Sequence, residues 1–229
     1  FNYPEIGKST TLLLEAAGYQ VRLADRVCCG RPMISKGLAE TARAHAVYNV
    51  QRLHSLVRAG YSIVGCEPSC VLTFRDEYPD LLDGPAAEEV ALSSFLLEEF
   101  IAREIKAERW NLTYSHPKPK ALVHGHCHAR ALVGSGPLKQ ALSQAYEVED
   151  VDAGCCGMAG SFGYEKEHYD VSMEIGRQRL FPRLEAQPEA LVIAPGISCR
   201  QQIEHAIGRK AIHPAEALIS AIERPTLIR

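Results

Sequence analysis

The chain has 229 residues, enough for one large domain or two small ones with a buried core. Its formal net charge of -3, from 25 basic and 28 acidic residues mixed along the chain, leaves no basic stripe to neutralise a phosphate backbone, which excludes nucleic acid as an expected partner. No apolar run approaches the roughly 18 to 20 residues of a membrane-spanning helix, and the N-terminus reads as neither signal nor transit peptide, so the expected location is cytoplasmic, with peripheral attachment to a membrane still allowed. The opening "FNYPEIGKSTTLLLEAAGY" lacks a starting Met and runs at once into an apparent helix, so the chain is expected to be the tail of a longer polypeptide.

In chain order, short β-branched runs predict strands at 19–25, 61–65, 120–126, 146–152 and 190–195. Between the first two, Ala39, Ala42, Ala46, Val50, Leu53 and Val57 recur at three- and four-residue spacing and predict a helix ending at Gly60. "SSFLLEEFIAREIKAERW" predicts a linking helix, the polar "NLTYSHPKPK" a boundary near residue 117, and the stretch from Tyr164 to Ala186 a further helix. Strands alternating with amphipathic helices imply an α/β fold with parallel sheets.

The chain also repeats itself. "LLLEAAGYQVRLADRVCCG", a helix and "YSIVGCEPSC" can be laid over "ALSQAYEVEDVDAGCCG", a helix and "ALVIAPGISC", pairing Cys28 with Cys155 and Cys70 with Cys199. Two pseudo-repeated units follow, each a small parallel sheet flanked by helices: residues 1–117, truncated at the start and carrying the linking helix, and residues 118–229.

The eight cysteines are Cys28, Cys29, Cys66, Cys70, Cys127, Cys155, Cys156 and Cys199. Each falls at or just past the C-terminal end of a predicted strand, where open parallel sheets bind ligands. Disulfides are disfavoured in a cytoplasmic chain. Inert buried thiols account for single cysteines but not for a doublet that occurs twice. Metal ligation accounts for the most: thiolates in loops hold soft metals and iron-sulfur clusters, and Gly157 and Gly160 allow the backbone to approach sulfur.

The paired CCG motifs, each followed about forty residues on by a Cys, resemble the cysteine-rich CCG domain of the heterodisulfide reductase B subunit, of the iron-sulfur subunits of glycolate oxidase and anaerobic glycerol-3-phosphate dehydrogenase, and of lactate-utilisation proteins. "RVCCGRPMISKG", "EPSCVLTFRDEYPDLL", "HGHCH", "GCCGMAGSFGYEKEHYD" and "SCRQQI" resemble the C-terminal region of large FAD-linked oxidases such as bacterial D-2-hydroxyglutarate or D-lactate dehydrogenases.

The resemblance implies a [4Fe-4S] cluster, non-cubane in the heterodisulfide reductase relatives. In the second repeat its ligands would be Cys127, Cys155, Cys156 and Cys199, with Gly196 where the family's CxxC begins. The first repeat offers Cys28, Cys29 and Cys70, with Glu67 at the corresponding place and Cys66 one residue out of register, either a substitute ligand or a core thiol. It could bind no cluster, bind another metal, or contribute to a shared site.

The implied function is an electron-transfer region of an FAD-linked 2-hydroxy acid dehydrogenase. It would pass electrons from flavin, on an upstream domain or partner subunit, to a quinone or another electron carrier. Such an oxidoreductase component lacks the substrate site and has no catalytic residue of its own. The alternatives are a catalytic cluster domain that cleaves disulfides and a zinc-stabilised interaction domain using Cys127 with its neighbouring histidines or the doublets.

Weaker signals have simpler readings. His124, His126 and His128 alternate, so an extended strand would turn them to one face, as a zinc pair or as donors to cluster sulfur. His168 and His213 read as polar or packing residues, and Arg130 and Arg200 as solvated or as offsetting cluster charge. "GKST" lacks the upstream glycine of a phosphate loop, and "GMAGSFG" lacks GxGxxG order. No nucleophile-base pair is evident.

Overall fold

The structure, a computed structural model, describes residues 3–223. Two compact units divide the chain: one is Arg22–Phe100, and the other takes its described residues from 1–21 and 101–229. Helix α1 (Pro4–Ala16) carries proline in its first turn, where the missing N–H satisfies no helical bond anyway, and buries Ile6, Leu13 and Leu14. Residues 19–25, expected as a strand, form no regular element. The apolar alternation there meets no sheet, since Leu23 is 86% exposed. The segment is fixed further on by a side chain, where Asn49 Oδ1 accepts from Val27 N–H at 2.9 Å.

The unit Arg22–Phe100 continues through helices α2 (Arg31–Ser35) and α3 (Ala39–Arg58), strand β1 (Ile63–Gly65), helices α4 (Pro68–Asp76), α5 (Tyr78–Leu81) and α6 (Pro85–Leu92), and strand β2 (Ser94–Leu96). The predicted stripe on α3 is the buried one: Ala46, Val50 and Leu53 pack against Phe74, Tyr78, Ala87 and Val90. β1 and β2 run parallel, with Ile63 opposite Ser94 and Gly65 opposite Leu96. The expected linking helix therefore begins late, as α7 (Leu97–Lys106). An apolar run such as Phe95, Leu96 and Leu97 satisfies either period, and pairing with β1 settles its first part as strand.

In the other unit, strands β3 (Lys120–Val123), β4 (Glu147–Asp150) and β5 (Leu191–Ile193) form a parallel sheet in the order β4-β3-β5. Leu122 lies opposite both Glu149 and Val192. The central strand buries Ala121, Leu122 and Val123 in succession, as a strand covered on both faces must. Helices α8 (Cys127–Leu132) and α9 (Gly136–Leu142) connect β3 to β4. A 3-10 turn (Phe162–Tyr164) and α10 (Tyr169–Glu185) connect β4 to β5, so the helix expected from Tyr164 starts five residues later. Helices α11 (Ile197–Ile207) and α12 (Pro214–Ala221) follow, and α12 packs on α1. The architecture is α/β with two small parallel sheets. Among the described residues no helix is long and apolar enough to cross a membrane.

Candidate metal centre

Three loops leave the carboxyl edge of the β4-β3-β5 sheet, and each carries cysteine. Residues 124–127 follow β3, residues 151–156 follow β4 and residues 194–199 follow β5. Parallel strands end on one side, so their loops converge without any long connection. Cys127 opens α8, and Cys199 lies in the first turn of α11. Cys156 and Cys199 are 4% and 2% exposed and belong to the core around Leu122, Leu180 and Val192. Cys155 is half-buried, and Cys127 faces solvent.

The four sulfurs form one chain of contacts, Cys127 to Cys155 to Cys156 to Cys199. The Cys127 thiol, then that of Cys156, holds Cys155 well below the ordinary thiol range. Gly157 N–H also donates to the Cys155 sulfur at 3.3 Å. Cys199 is likewise held low, first by the Cys156 thiol and then by the His124 imidazole. Cys127 and Cys156 are pushed up, in each case first by the neighbouring Cys155. The four thiols share protons along the chain, and a soft metal binds such sulfurs by displacing those protons.

Close backbone packing fixes this geometry. Gly157 has φ of 97°, and a Cβ there would lie 2.0 Å from the carbonyl oxygen of Ser172 on α10. Ser172 is in turn gripped by Gln202 of α11, whose Nε2 donates to its Oγ at 3.0 Å. The α10–α11 contact therefore sets the height of the Cys155–Cys156 turn. Neither Ser172 nor Gln202 stands out in the sequence, because both are ordinary polar residues on helices. Arg200 is buried rather than solvated, and its Nη1 donates to the carbonyls of Ala194 and Pro195 at 3.0 and 2.6 Å, tying down the loop after β5. Arg130 Nη2 donates to Asp152 Oδ1 at 2.6 Å, securing the loop after β4.

Two histidines line the same edge. His124, 1% exposed, has both ring nitrogens buried without a hydrogen-bond partner, and a ring nitrogen lies within 4.8 Å of the sulfurs of Cys156 and Cys199. The His126 ring covers Gly196, where a Cβ would lie 2.3 Å from it. His168 pairs with Glu165 at 3.0 Å and stacks on Phe162. His213 caps α12, accepting from Ala215 N–H at 3.0 Å.

The unit Arg22–Phe100 holds a second, smaller group. Cys28, Cys29 and Cys70 interact, although Cys28 and Cys29 do not follow a strand and Cys70 lies within the first turn of α4. The Cys29 thiol is pushed down to about 6, first by Cys70 and then by Arg31 N–H, Thr73 and Cys28. Cys70 is pushed up, first by Cys29 and also by burial and the charge of Glu67. Side chains pin the doublet's backbone: Asn49 Nδ2 donates to Cys28 O at 3.2 Å, and Tyr78 Oη donates to Cys29 O at 3.0 Å. Cys66 stands directly after β1, half-buried.

The model of the family described as "Cysteine-rich domain" (CCG) matches residues 1–75 and 122–204. The C subunit of the anaerobic glycerol-3-phosphate dehydrogenase of Escherichia coli (strain K12) is 29% identical to the chain over 97% of its length and 56% of that protein's. The D-2-hydroxyglutarate dehydrogenase of Pantoea ananatis (strain AJ13355) is 29% identical over 92% of the chain and 20% of that protein. The lactate utilization protein A of Halalkalibacterium halodurans is 26% identical over 94% of the chain and 91% of that protein. The chain thus spans about half the length of the first relative and a fifth of the second.

Proposed function

The chain belongs to the cysteine-rich CCG domain family, and from that premise we propose that it is the iron-sulfur electron-transfer part of a dehydrogenase acting on a 2-hydroxy acid or a related alcohol. The observation that carries the reading is the convergence of Cys127, Cys155, Cys156 and Cys199 at one sheet edge, beside the buried imidazole of His124. Four thiols and a buried imidazole nitrogen within 4.8 Å of two of them fit an iron-sulfur cluster by number and by chemical softness. Bound there, a [4Fe-4S] cluster would supply one-electron transfer.

The chain's own residues hold and tune the site. The four thiolates ligate, Gly157 N–H offers a hydrogen bond to Cys155 sulfur, and burial of Cys156 and Cys199 excludes water from one side. Exposed Cys127 leaves another side open to an exchange partner. The substrate and an FAD domain or subunit lie outside these residues in this proposal; the relatives named as dehydrogenases are longer than this chain. A quinone or soluble carrier takes the electrons, at the cytoplasmic side of a membrane. The group of Cys28, Cys29 and Cys70 is a second ligand set in the same proposal, and the two CCG repeats meet near residue 117.

The test is iron and acid-labile sulfide analysis with EPR on the anaerobically purified full polypeptide, beside Cys156→Ser and Cys29→Ser. Iron and sulfide that fall sharply in Cys156→Ser support the proposal. Zinc without sulfide, or no metal in any sample, overturns it, and thiol-disulfide turnover by the cluster-loaded protein that is lost with the cluster moves the assignment to a catalytic cluster domain.

A further inference from the structure

We propose that His124 is itself a ligand, giving the centre of Cys127, Cys155, Cys156 and Cys199 a nitrogen donor beside its four sulfurs. This rests on the iron-sulfur reading above. A buried polar group without a hydrogen bond has lost its hydration with no replacement, and native proteins keep few of them without reason. His124 carries two such atoms on one ring that is 1% exposed.

The ring has little freedom to escape. His124 directly follows β3, and its N–H donates to Ile193 O at 3.0 Å, so its backbone continues the ladder to β5. A ring nitrogen and the sulfurs of Cys156 and Cys199 all lie within 4.8 Å of one another, and all three residues are buried. Three soft or borderline donors from three successive loops converge on one point, as metal ligands do.

The nearest alternative position carries no donor. Residue 196 is a glycine, and a Cβ there would lie 2.3 Å from the His126 ring. His126 acts there as a wedge that keeps Gly196 bare. The alternation of the three histidines thus divides into different tasks: His124 faces the thiols, and His126 packs against the next loop.

A neutral imidazole in a sulfur-rich ligand set raises the reduction potential relative to thiolate. His124 is therefore also the residue that sets the potential of this centre.

The experiment uses the anaerobically purified full polypeptide, reduced, with pulsed EPR on samples grown with natural and with 15N-labelled histidine. The expected result is a strongly coupled nitrogen in the wild type that changes isotope with the label. In His124→Cys that coupling is lost, iron and sulfide stay near the wild-type amount, and the midpoint potential falls. His126→Asn keeps the coupling. A full cluster without strongly coupled histidine nitrogen overturns the proposal, as does coupling that survives His124→Cys. The labelled wild type decides the question even where a variant fails to fold. Absence of iron and sulfide from the wild type overturns the iron-sulfur reading itself, which separates the two failures.

Discussion

The two CCG turns share a sequence and a backbone shape but not their surroundings. Gly30 and Gly157 follow the doublets with φ of 93° and 97°. A Cβ on Gly30 would meet Ala42 of α3 at 3.4 Å, an ordinary contact, whereas one on Gly157 would meet the Ser172 carbonyl at 2.0 Å. The neighbours differ as well. The Cys156 thiol first, then the imidazole of His124, hold Cys199 low; Cys29 first, then burial and the carboxylate of Glu67, push Cys70 up. The shared motif therefore fixes only the turn. What each turn can hold is decided by the helix beneath it and by the residues on the neighbouring loops.

The largest expected effect breaks the comparison at the glycines. Gly157→Ala adds a carbon where backbone already stands, in a conformation that L residues avoid, and is expected to cost more than about 3 kcal/mol. Gly30→Ala incurs only the conformational strain, about 1 to 2 kcal/mol. Urea denaturation of both variants measures the gap. Equal losses would mean that the Ser172–Gln202 clamp yields, and that the two turns are equivalent after all.

Much of the cysteine geometry was legible in the sequence, because strand ends in a parallel sheet fall on one side and the thiols were spaced to match. Strands at 61–65, 120–126, 146–152 and 190–195 are present in shortened form. The segment 19–25 misled because its alternating apolar residues look like a strand, yet they meet no sheet and Leu23 stays 86% exposed. β2 was hidden because three strand residues run straight into α7 without a turn. The role of His124 could not be read from its alternation with His126, since His126 lays its ring on Gly196. The clamp between Ser172 and Gln202 could not be read, although Gln202 lies in "SCRQQI", because it is a contact between helices far apart in sequence.

The contrast in charge extends to two buried carboxyl groups on α7. Glu104, 2% exposed, accepts from Arg109 Nε at 2.7 Å, from Arg103 Nε at 3.0 Å and from Tyr19 Oη at 2.7 Å. Arg109 first, then Tyr19 and Arg103, hold it down to about 2. Because its unfolded value is near 4.3, its contribution is complete above that pH and is lost as pH falls through 2. Glu104→Gln is expected to cost about 2 to 3 kcal/mol at pH 7, discounted because both arginines are partly exposed. The loss should shrink as the pH is lowered toward 2, as read by thermal denaturation; a loss that stays constant with pH assigns the effect to packing instead.

Glu98 sharpens the comparison from the other side. It is 3% exposed, and burial first, then the charges of Glu99 and Glu67, push its carboxyl up to about 7. Below pH ~4.3 the group is protonated in both folded and unfolded chains and carries no ionisation penalty. Between that pH and 7 the unfolded chain releases the proton while the folded one keeps it, so stability falls as pH rises. Above 7 both forms are ionised and the penalty stays at its full value, on the order of 3 to 4 kcal/mol. Glu98→Gln should remove that slope and leave the variant more stable than wild type at pH 8 while matching it at pH 4. The same substitution leaves Glu67 beside Cys70, so it tests whether the acidic character of the smaller cysteine group comes from Glu67 alone. If iron content stays unchanged in Glu98→Gln while Glu67→Gln raises it, the carboxylate at position 67 is the residue that separates the two centres.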